Sequence, residues 1–136
     1  MTFWPLPTLL LVLLLAGCTM SPIKIEDKEG VVSSVGPVVA GDDGLWTLHL
    51  SVFDYDGDPV DVTAEYRANG EWLALESCQG ETAPCLVGGL RGLHSRDDRN
   101  DQQHQTVIRP GTLSLDAVEL RLYALEDQSD AVIWRR

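Results

Sequence analysis

Apolar and polar residues alternate along most of the chain after residue 30. From Leu45 to Asp54, the apolar side of the alternation consists of Trp46, Leu48, Leu50 and Val52. Two similar runs extend from Val60 to Arg67 and from Val118 to Ala124. A period of two residues is typical of a β-strand with one buried face. After the first 17 residues, no stretch of apolar residues at helical spacing competes with this pattern.

Turn signals separate these runs at short intervals. Residues 54–59 (Asp-Tyr-Asp-Gly-Asp-Pro) join two predicted strands, and Asn69-Gly70 predicts a type I′ hairpin leading to a return strand at 72–75. Weaker strands are expected at 86–93, which glycines interrupt, at 106–108 and at 131–134. This spacing of short strands and turns predicts an all-β chain folded as an antiparallel β-sandwich.

Two other features follow from the predicted strands. Trp46, Trp72 and Trp134 are expected to be core or partly buried anchors, the alternative being that one of them stacks on carbohydrate. The segment from His94 to Gln105 is almost wholly polar and mixes both charge signs. We predict that it is an exposed, solvated loop rather than a binding patch.

The first 17 residues differ in character from the rest of the chain. Residues 3–17 form an apolar block, which is shorter than the roughly 20 apolar residues that span a bilayer. The block fits the central region of a secretory signal. It ends in Leu15-Ala16-Gly17-Cys18, which resembles the lipobox of bacterial lipoproteins. One departure is that residues 1–8 contain no Lys or Arg, which a start codon assigned too far downstream would explain.

The lipobox resemblance implies cleavage before Cys18 and acylation of that cysteine. Two or three acyl chains on one residue would hold the chain stably on a membrane. Thr19 follows the cysteine where an Asp would imply retention in the inner membrane, so the resemblance implies transfer to the outer membrane. The expected organisation is a signal peptide at 1–17, a lipidated cysteine and tether at 18–30, and a β-sandwich domain at 31–136.

All the charged residues lie after residue 18, with ten Lys and Arg against 21 Asp and Glu and a net charge of −11. This acidity argues against nucleic acid as a partner, because phosphates are bound through Lys and Arg. It also argues against electrostatic attachment to an anionic membrane. An acidic, solvated surface is the expected consequence, with divalent cation binding as the alternative.

Cys78 and Cys85 remain once Cys18 is assigned to the lipid. An even pair in an exported chain predicts a disulfide, and residues 79–84 are rich in turn formers that can bring the two ends together. A zinc site would need two further ligands at short spacing, and the three histidines are scattered at 49, 94 and 104. We therefore predict a Cys78–Cys85 disulfide.

Residues 52–66 and 69–72 resemble the fibronectin type III and immunoglobulin-like modules of bacterial surface and exported proteins. This part of the chain and the modules share a strand, an Asp-x-Asp-Gly-Asp turn, a Val-x-Val strand and a Gly-x-Trp hairpin. Residues 115–121 also match the penultimate strand of such modules. The resemblance implies a fold but not one role, because these modules act as spacers, adhesive units and protein-binding units. The disulfide loop and the polar loop after His94 depart from the pattern, and an individual function would lie there.

Asp54, Asp56 and Asp58 are the candidate ligands for a metal ion. Their spacing relative to Glu65 imitates an EF-hand loop, but Pro59 occupies the glycine position and Glu65 lies in a predicted strand. A simpler calcium site is the alternative to a metal-free turn, in which all three side chains can point into water. The metal-free turn is our expectation, because Asp, Gly and Pro are common turn residues.

The chain has no Gly-x-Ser-x-Gly or His-Glu-x-x-His motif and no phosphate-binding glycine loop. We therefore predict neither an enzyme nor a resident cofactor. The expected function is that of a lipid-anchored, non-enzymatic module that contacts an envelope protein or contributes to envelope structure. The alternative is a surface lipoprotein that binds calcium or a glycan.

Overall fold

The structure is a computed structural model that describes residues 30–96, 100–125 and 127–136, without the side chain of Asp127. The predicted signal peptide, Cys18 and nearly all of the predicted tether therefore lie outside the described residues. Within the described part of the chain, no helix is long and apolar enough to cross a membrane.

The described residues form eight β-strands in two sheets. The strands are β1 Val31–Ala40, β2 Trp46–Phe53, β3 Val62–Ala68, β4 Glu71–Ala74, β5 Cys85–Val87, β6 Gln102–Arg109, β7 Glu119–Ala124 and β8 Asp127–Arg135. Neighbouring strands are antiparallel, in the order β1-β2-β6-β5 in the first sheet and β4-β3-β7-β8 in the second. The two sheets pack on each other, so the predicted antiparallel β-sandwich is confirmed.

The strand order is that of an immunoglobulin-type sandwich. When the strands are lettered A, B, C, C′, D, E, F and G in chain order, the sheets read A-B-E-D and C′-C-F-G. Immunoglobulin constant-type domains have the A-B-E-D and C-F-G sheets, and C′ is an addition of the variable type. This order is compatible with the fold that the sequence resemblance implies.

The core comes from the apolar sides of the alternating strands. Its largest fully buried side chains include Leu48 and Leu50 on β2, Ile108 on β6, and Leu120 and Leu122 on β7. Burying a leucine completely stabilises a fold by roughly 1.5–3 kcal/mol. The alternation identified in the sequence therefore corresponds to the division between core and surface.

Two strands are longer than the sequence predicts. The strand β6 begins at Gln102, so the prediction that the polar loop extends to Gln105 is wrong at its end. Residues 102–105 pair with 49–52 of β2. The strand β8 likewise begins at Asp127 rather than near Ala131. Backbone hydrogen bonds to a neighbouring strand do not require apolar side chains, so such extensions leave no hydrophobic pattern.

The register of the strands defines two opposite ends of the sandwich. The first, here called the Asp end, contains Gly30, the turn 54–61, the described part of loop 94–101 and the β7–β8 turn. The other, the disulfide end, contains turn 41–45, hairpin 69–70, loop 79–84 and loop 110–118. The eight residues of β2 run between the ends and span about 26 Å at 3.3 Å per residue.

Candidate functional site

The Asp54–Asp58 turn is organised around the side chain of Asp54. Its Oδ1 atom accepts hydrogen bonds from the backbone N–H groups of Asp56 at 2.8 Å and Asp58 at 3.3 Å. Asp54 is 4% exposed, whereas Asp56 and Asp58 are exposed. The prediction that all three side chains can point into water is therefore wrong for Asp54, whose carboxylate satisfies the turn's own backbone donors.

The same three aspartates form the acidic group that could hold a metal ion. Each offers one oxygen atom, and these atoms lie within 4.8 Å of one another. Calcium takes 6–8 oxygen ligands. Glu65 lies in β3 and binds Arg121, as expected for a strand residue that does not fold back on the turn. Since Asp54 already accepts two backbone hydrogen bonds, the turn has a structural explanation that requires no ion.

We predict that the turn folds without calcium. Asp56→Asn should change the free energy of unfolding by no more than about 0.5 kcal/mol, the usual range for surface substitutions. Asp54→Ala should lower it by about 1–3 kcal/mol, because it removes the acceptor of a part-buried hydrogen-bond pair. Urea unfolding with and without millimolar calcium measures both effects. A saturable calcium site found by calorimetry, and lost in Asp56→Asn, would contradict the metal-free turn.

The predicted disulfide joins Cys78 to Cys85, with a Cα–Cα distance of 4.9 Å. Cys85 is fully buried at the start of β5, whereas Cys78 is exposed. The bond fixes the segment that follows β4 to the edge of the first sheet. Leu86 N donates to Glu76 O at 3.0 Å, which adds a backbone link at the same place.

A second set of contacts holds the disulfide loop, which comprises residues 79–84. The Arg109 guanidinium donates to the carbonyl groups of Gly80 and Ala83, and the Thr112 N–H donates to Thr82 O at 3.2 Å. The loop is therefore fixed by hydrogen bonds as well as by its covalent link. Sequence reasoning missed Arg109, because an arginine at the end of a strand gives no local signal of which carbonyls it will reach.

A cleft of about 550 Å³ lies between the two sheets beside β5. Its lining includes buried apolar residues, namely Val62, Ala64, Leu75, Leu86 and Leu90. Backbone groups along the cleft already have partners: Val62 N donates to Leu90 O and Leu75 N donates to Ala64 O, both at 2.9 Å. A peptide strand added along the cleft at these positions would therefore have to break these hydrogen bonds.

The outer surface of the second sheet combines arginine with aromatic residues. We call it the Arg–Trp face, and it consists of Glu65, Arg67, Trp72, Glu119, Arg121, Tyr123, Ile133 and Arg135. Strand pairing places Arg67 opposite Trp72, Glu119 opposite Arg135, and Arg121 between Glu65 and Ile133. Three arginines and two glutamates give this face a charge of +1 (3 − 2), although the whole chain is strongly acidic.

Arg121 is the centre of the Arg–Trp face. Its Nε and Nη2 atoms donate to Glu65 Oε1 at 2.9 and 2.7 Å. Its guanidinium carbon lies 4.5 Å from the centre of the Trp72 ring and 5.8 Å from that of Tyr123. The Arg121 and Glu65 side chains are only 18% and 14% exposed. These contacts hold the planar groups in fixed positions on the sheet surface.

Tyr123 is electrostatically coupled to this cluster. Burial raises the pKa of Tyr123 above its usual value of 10.0, and the negative charge of Glu65 and a hydrogen bond to it raise the pKa further. The positive charge of Arg121 acts in the opposite direction without cancelling the increase. The phenol is therefore held in its neutral form.

The raised pKa predicts a loss of stability at high pH. The contribution of the neutral phenol should be fully present below the unfolded-state pKa of about 10 and be lost as the pH rises through the higher folded-state pKa. Ultraviolet titration of the native protein should show a late-titrating tyrosine that disappears in Tyr123→Phe and shifts to lower pH in Glu65→Gln. Tyr66→Phe serves as the control and should leave that late component in place.

The tryptophans occupy three different environments. Trp46 is 6% exposed in the core, and Trp134 is partly buried against the core, both as predicted. Trp72 is partly buried, but it lies on the outer surface beneath Arg121 rather than in the core. The cation–π contact with Arg121 occupies a position over the ring that a sugar would need for stacking.

The predicted polar loop can be located only in part, because residues 97–99 lie outside the described residues. Its described beginning packs on the Asp54–Asp58 turn, with Ser95 Oγ donating to Asp58 O at 2.6 Å. The polar loop is therefore at the Asp end and the disulfide loop at the other end. The structure does not bring together the two loops that depart from the module pattern.

The chain was compared with known protein families, curated proteins and solved structures, and none of them matches it.

Proposed function

We propose that this chain is an exported bacterial lipoprotein, anchored to the outer membrane through Cys18, whose β-sandwich acts without catalysis by contacting another envelope protein. The lipobox Leu15-Ala16-Gly17-Cys18 supports the anchor, and two or more acyl chains on one cysteine are sufficient for stable attachment. The sandwich supplies a rigid support for a contact surface.

The Arg–Trp face is the observation that supports protein contact. Trp, Tyr and Arg dominate the residues that contribute most to binding at protein interfaces, and all three are packed together here around Arg121. Ile133, opposite Arg121 on β8, is 47% exposed. The cluster is ordered before any partner arrives, which lowers the entropic cost of binding.

Site-specific crosslinking in the native envelope tests the proposed contact. A photoreactive amino acid at position 133 should capture a discrete partner, whereas the same group at Gln105, exposed on the outer side of the opposite sheet, should not. Arg121→Ala should abolish capture from position 133 without lowering the level of the protein in the membrane. Equal capture from both positions, or none from position 133, would contradict a role for this face.

Replacing the anchor residue gives a separate prediction. Cys18→Ser should abolish incorporation of radiolabelled palmitate and leave an uncut precursor, because the thiol is the site of acylation. Cys78→Ser is the matched control and should still incorporate the label. Palmitate in the Cys18→Ser protein would show that the lipobox interpretation is wrong.

A surface lipoprotein that binds calcium or a glycan is the second candidate function. The carboxylate oxygens of Asp54, Asp56 and Asp58, all within 4.8 Å of one another, favour calcium. The hydrogen bonds that Asp54 accepts weigh against it, and the position of Arg121 over Trp72 weighs against a sugar platform there. Calcium calorimetry distinguishes this candidate from the first.

A further inference from the structure

The described chain begins at the Asp end of the sandwich. Gly30 precedes β1, and Val31 at the start of β1 pairs with Phe53 at the end of β2. A Cβ atom on Gly30 would lie 3.2 Å from Asp54 Oδ2. Gly30, the described residue that precedes β1, therefore lies beside the Asp54–Asp58 turn.

Other elements of the Asp end are fixed around the same point. Gly92 N donates to Asp61 Oδ1 at 2.7 Å, and Leu125 N donates to Asp61 O at 2.9 Å. The turn after β2, the chain before loop 94–101 and the β7–β8 turn thus form one surface. The disulfide loop lies at the far end of the strands, because Cys85 pairs with Arg109 at the opposite end of β6 from Gln102.

We propose that the anchored sandwich stands with its Asp end toward the membrane and its disulfide end away from it. This orientation rests on the proposed anchor at Cys18. Residues 19–29 number eleven (29 − 18) and span at most about 40 Å at 3.6 Å per residue. An inverted domain would place its own length of about 26 Å between Gly30 and the bilayer, which uses most of that reach. The upright orientation leaves the connecting chain far more conformations.

The described surface of the Asp end carries charges of both signs, with exposed Asp56 and Asp58 and exposed Arg96. Electrostatic adsorption to anionic headgroups, which takes a cluster of Lys and Arg, is therefore not expected there. The Arg–Trp face runs along the side of the sandwich between the two ends, so it is reachable by a neighbouring protein in the same membrane. The disulfide loop is presented to partners across the compartment, and the described part of loop 94–101 is turned toward the lipid.

Fluorescence energy transfer to the bilayer tests the orientation. Two variants of the lipidated protein that each add one cysteine, Leu125→Cys at the Asp end and Asp42→Cys at the disulfide end, carry a donor on an exposed position. The disulfide-bonded Cys78 and Cys85 do not react with a maleimide unless they are reduced. In phosphatidylcholine vesicles with an acceptor on the headgroup, transfer should be several-fold higher from position 125 than from position 42.

The control lengthens the tether. Inserting about 30 Gly and Ser residues before Gly30 adds a flexible segment whose root-mean-square span is about 30 Å, enough to allow inversion, so the difference between the two positions should shrink. Equal or reversed transfer in the original protein would overturn the orientation. Co-flotation with the vesicles is measured on the same samples. A protein that fails to float would show instead that the anchor is wrong, and the orientation would fall with it.

Discussion

Leu122→Ala is expected to lower the free energy of unfolding by about 3 kcal/mol, within the range measured for buried leucines. Leu122 has no exposed surface. It lies on β7, paired with Ala64 of β3 on one side and Val132 of β8 on the other. Because strands flank β7 on both sides, the backbone cannot easily move inward to fill the cavity left by the lost methyl groups.

Leu125→Ala is the matched control for the core substitution. Leu125 follows β7 directly, three residues after Leu122, and is 53% exposed. The same chemical change there should alter the free energy of unfolding by no more than about 0.5 kcal/mol. Urea unfolding followed by tryptophan fluorescence measures both variants. Similar losses in the two would mean that the buried apolar sides of the strands do not form the core as described.

The core could be predicted from the sequence because its signal is local. In β2 and β7 every second residue is apolar, and the same residues face the interior. The Asn69-Gly70 hairpin was equally predictable, and both residues have the positive φ angles that a type I′ turn requires, 53° and 81°. The disulfide followed from the number of cysteines and the turn-rich segment between them.

Features that depend on strand register could not be predicted. Trp72 has an apolar side chain like those of the core, but the pairing of β4 with β3 sets it opposite Arg67 on the outer surface. The Arg–Trp face combines residues from the β3–β4 pair and the β7–β8 pair, which are separated in the sequence by β5 and β6. The burial of Asp54 was also missed, because charged turn residues are usually exposed and its role depends on the path of the backbone around it.

Removing the disulfide should have the second large effect on stability. The double variant Cys78→Ala/Cys85→Ala is expected to lower the free energy of unfolding by about 2.5 kcal/mol, the chain-entropy value for a closed loop of eight residues. Arg109 and Thr112 still hold the loop in the folded state through their hydrogen bonds to its carbonyl groups. The loss should therefore arise mainly from the greater freedom of the unfolded chain rather than from a rearranged native loop.

Reduction of the native protein provides the comparison that separates these two origins. If the native loop keeps its structure, the free energy of unfolding of the original protein, measured in urea with dithiothreitol, should equal that of the double variant. Dithiothreitol should not change the free energy of unfolding of the double variant itself. Adding Arg109→Gln to the double variant should then cost more stability than Arg109→Gln costs in the disulfide-bonded protein, because the guanidinium would be the main remaining restraint on residues 79–84. Equal costs in both backgrounds would show that the bond and the arginine do not restrain the same loop.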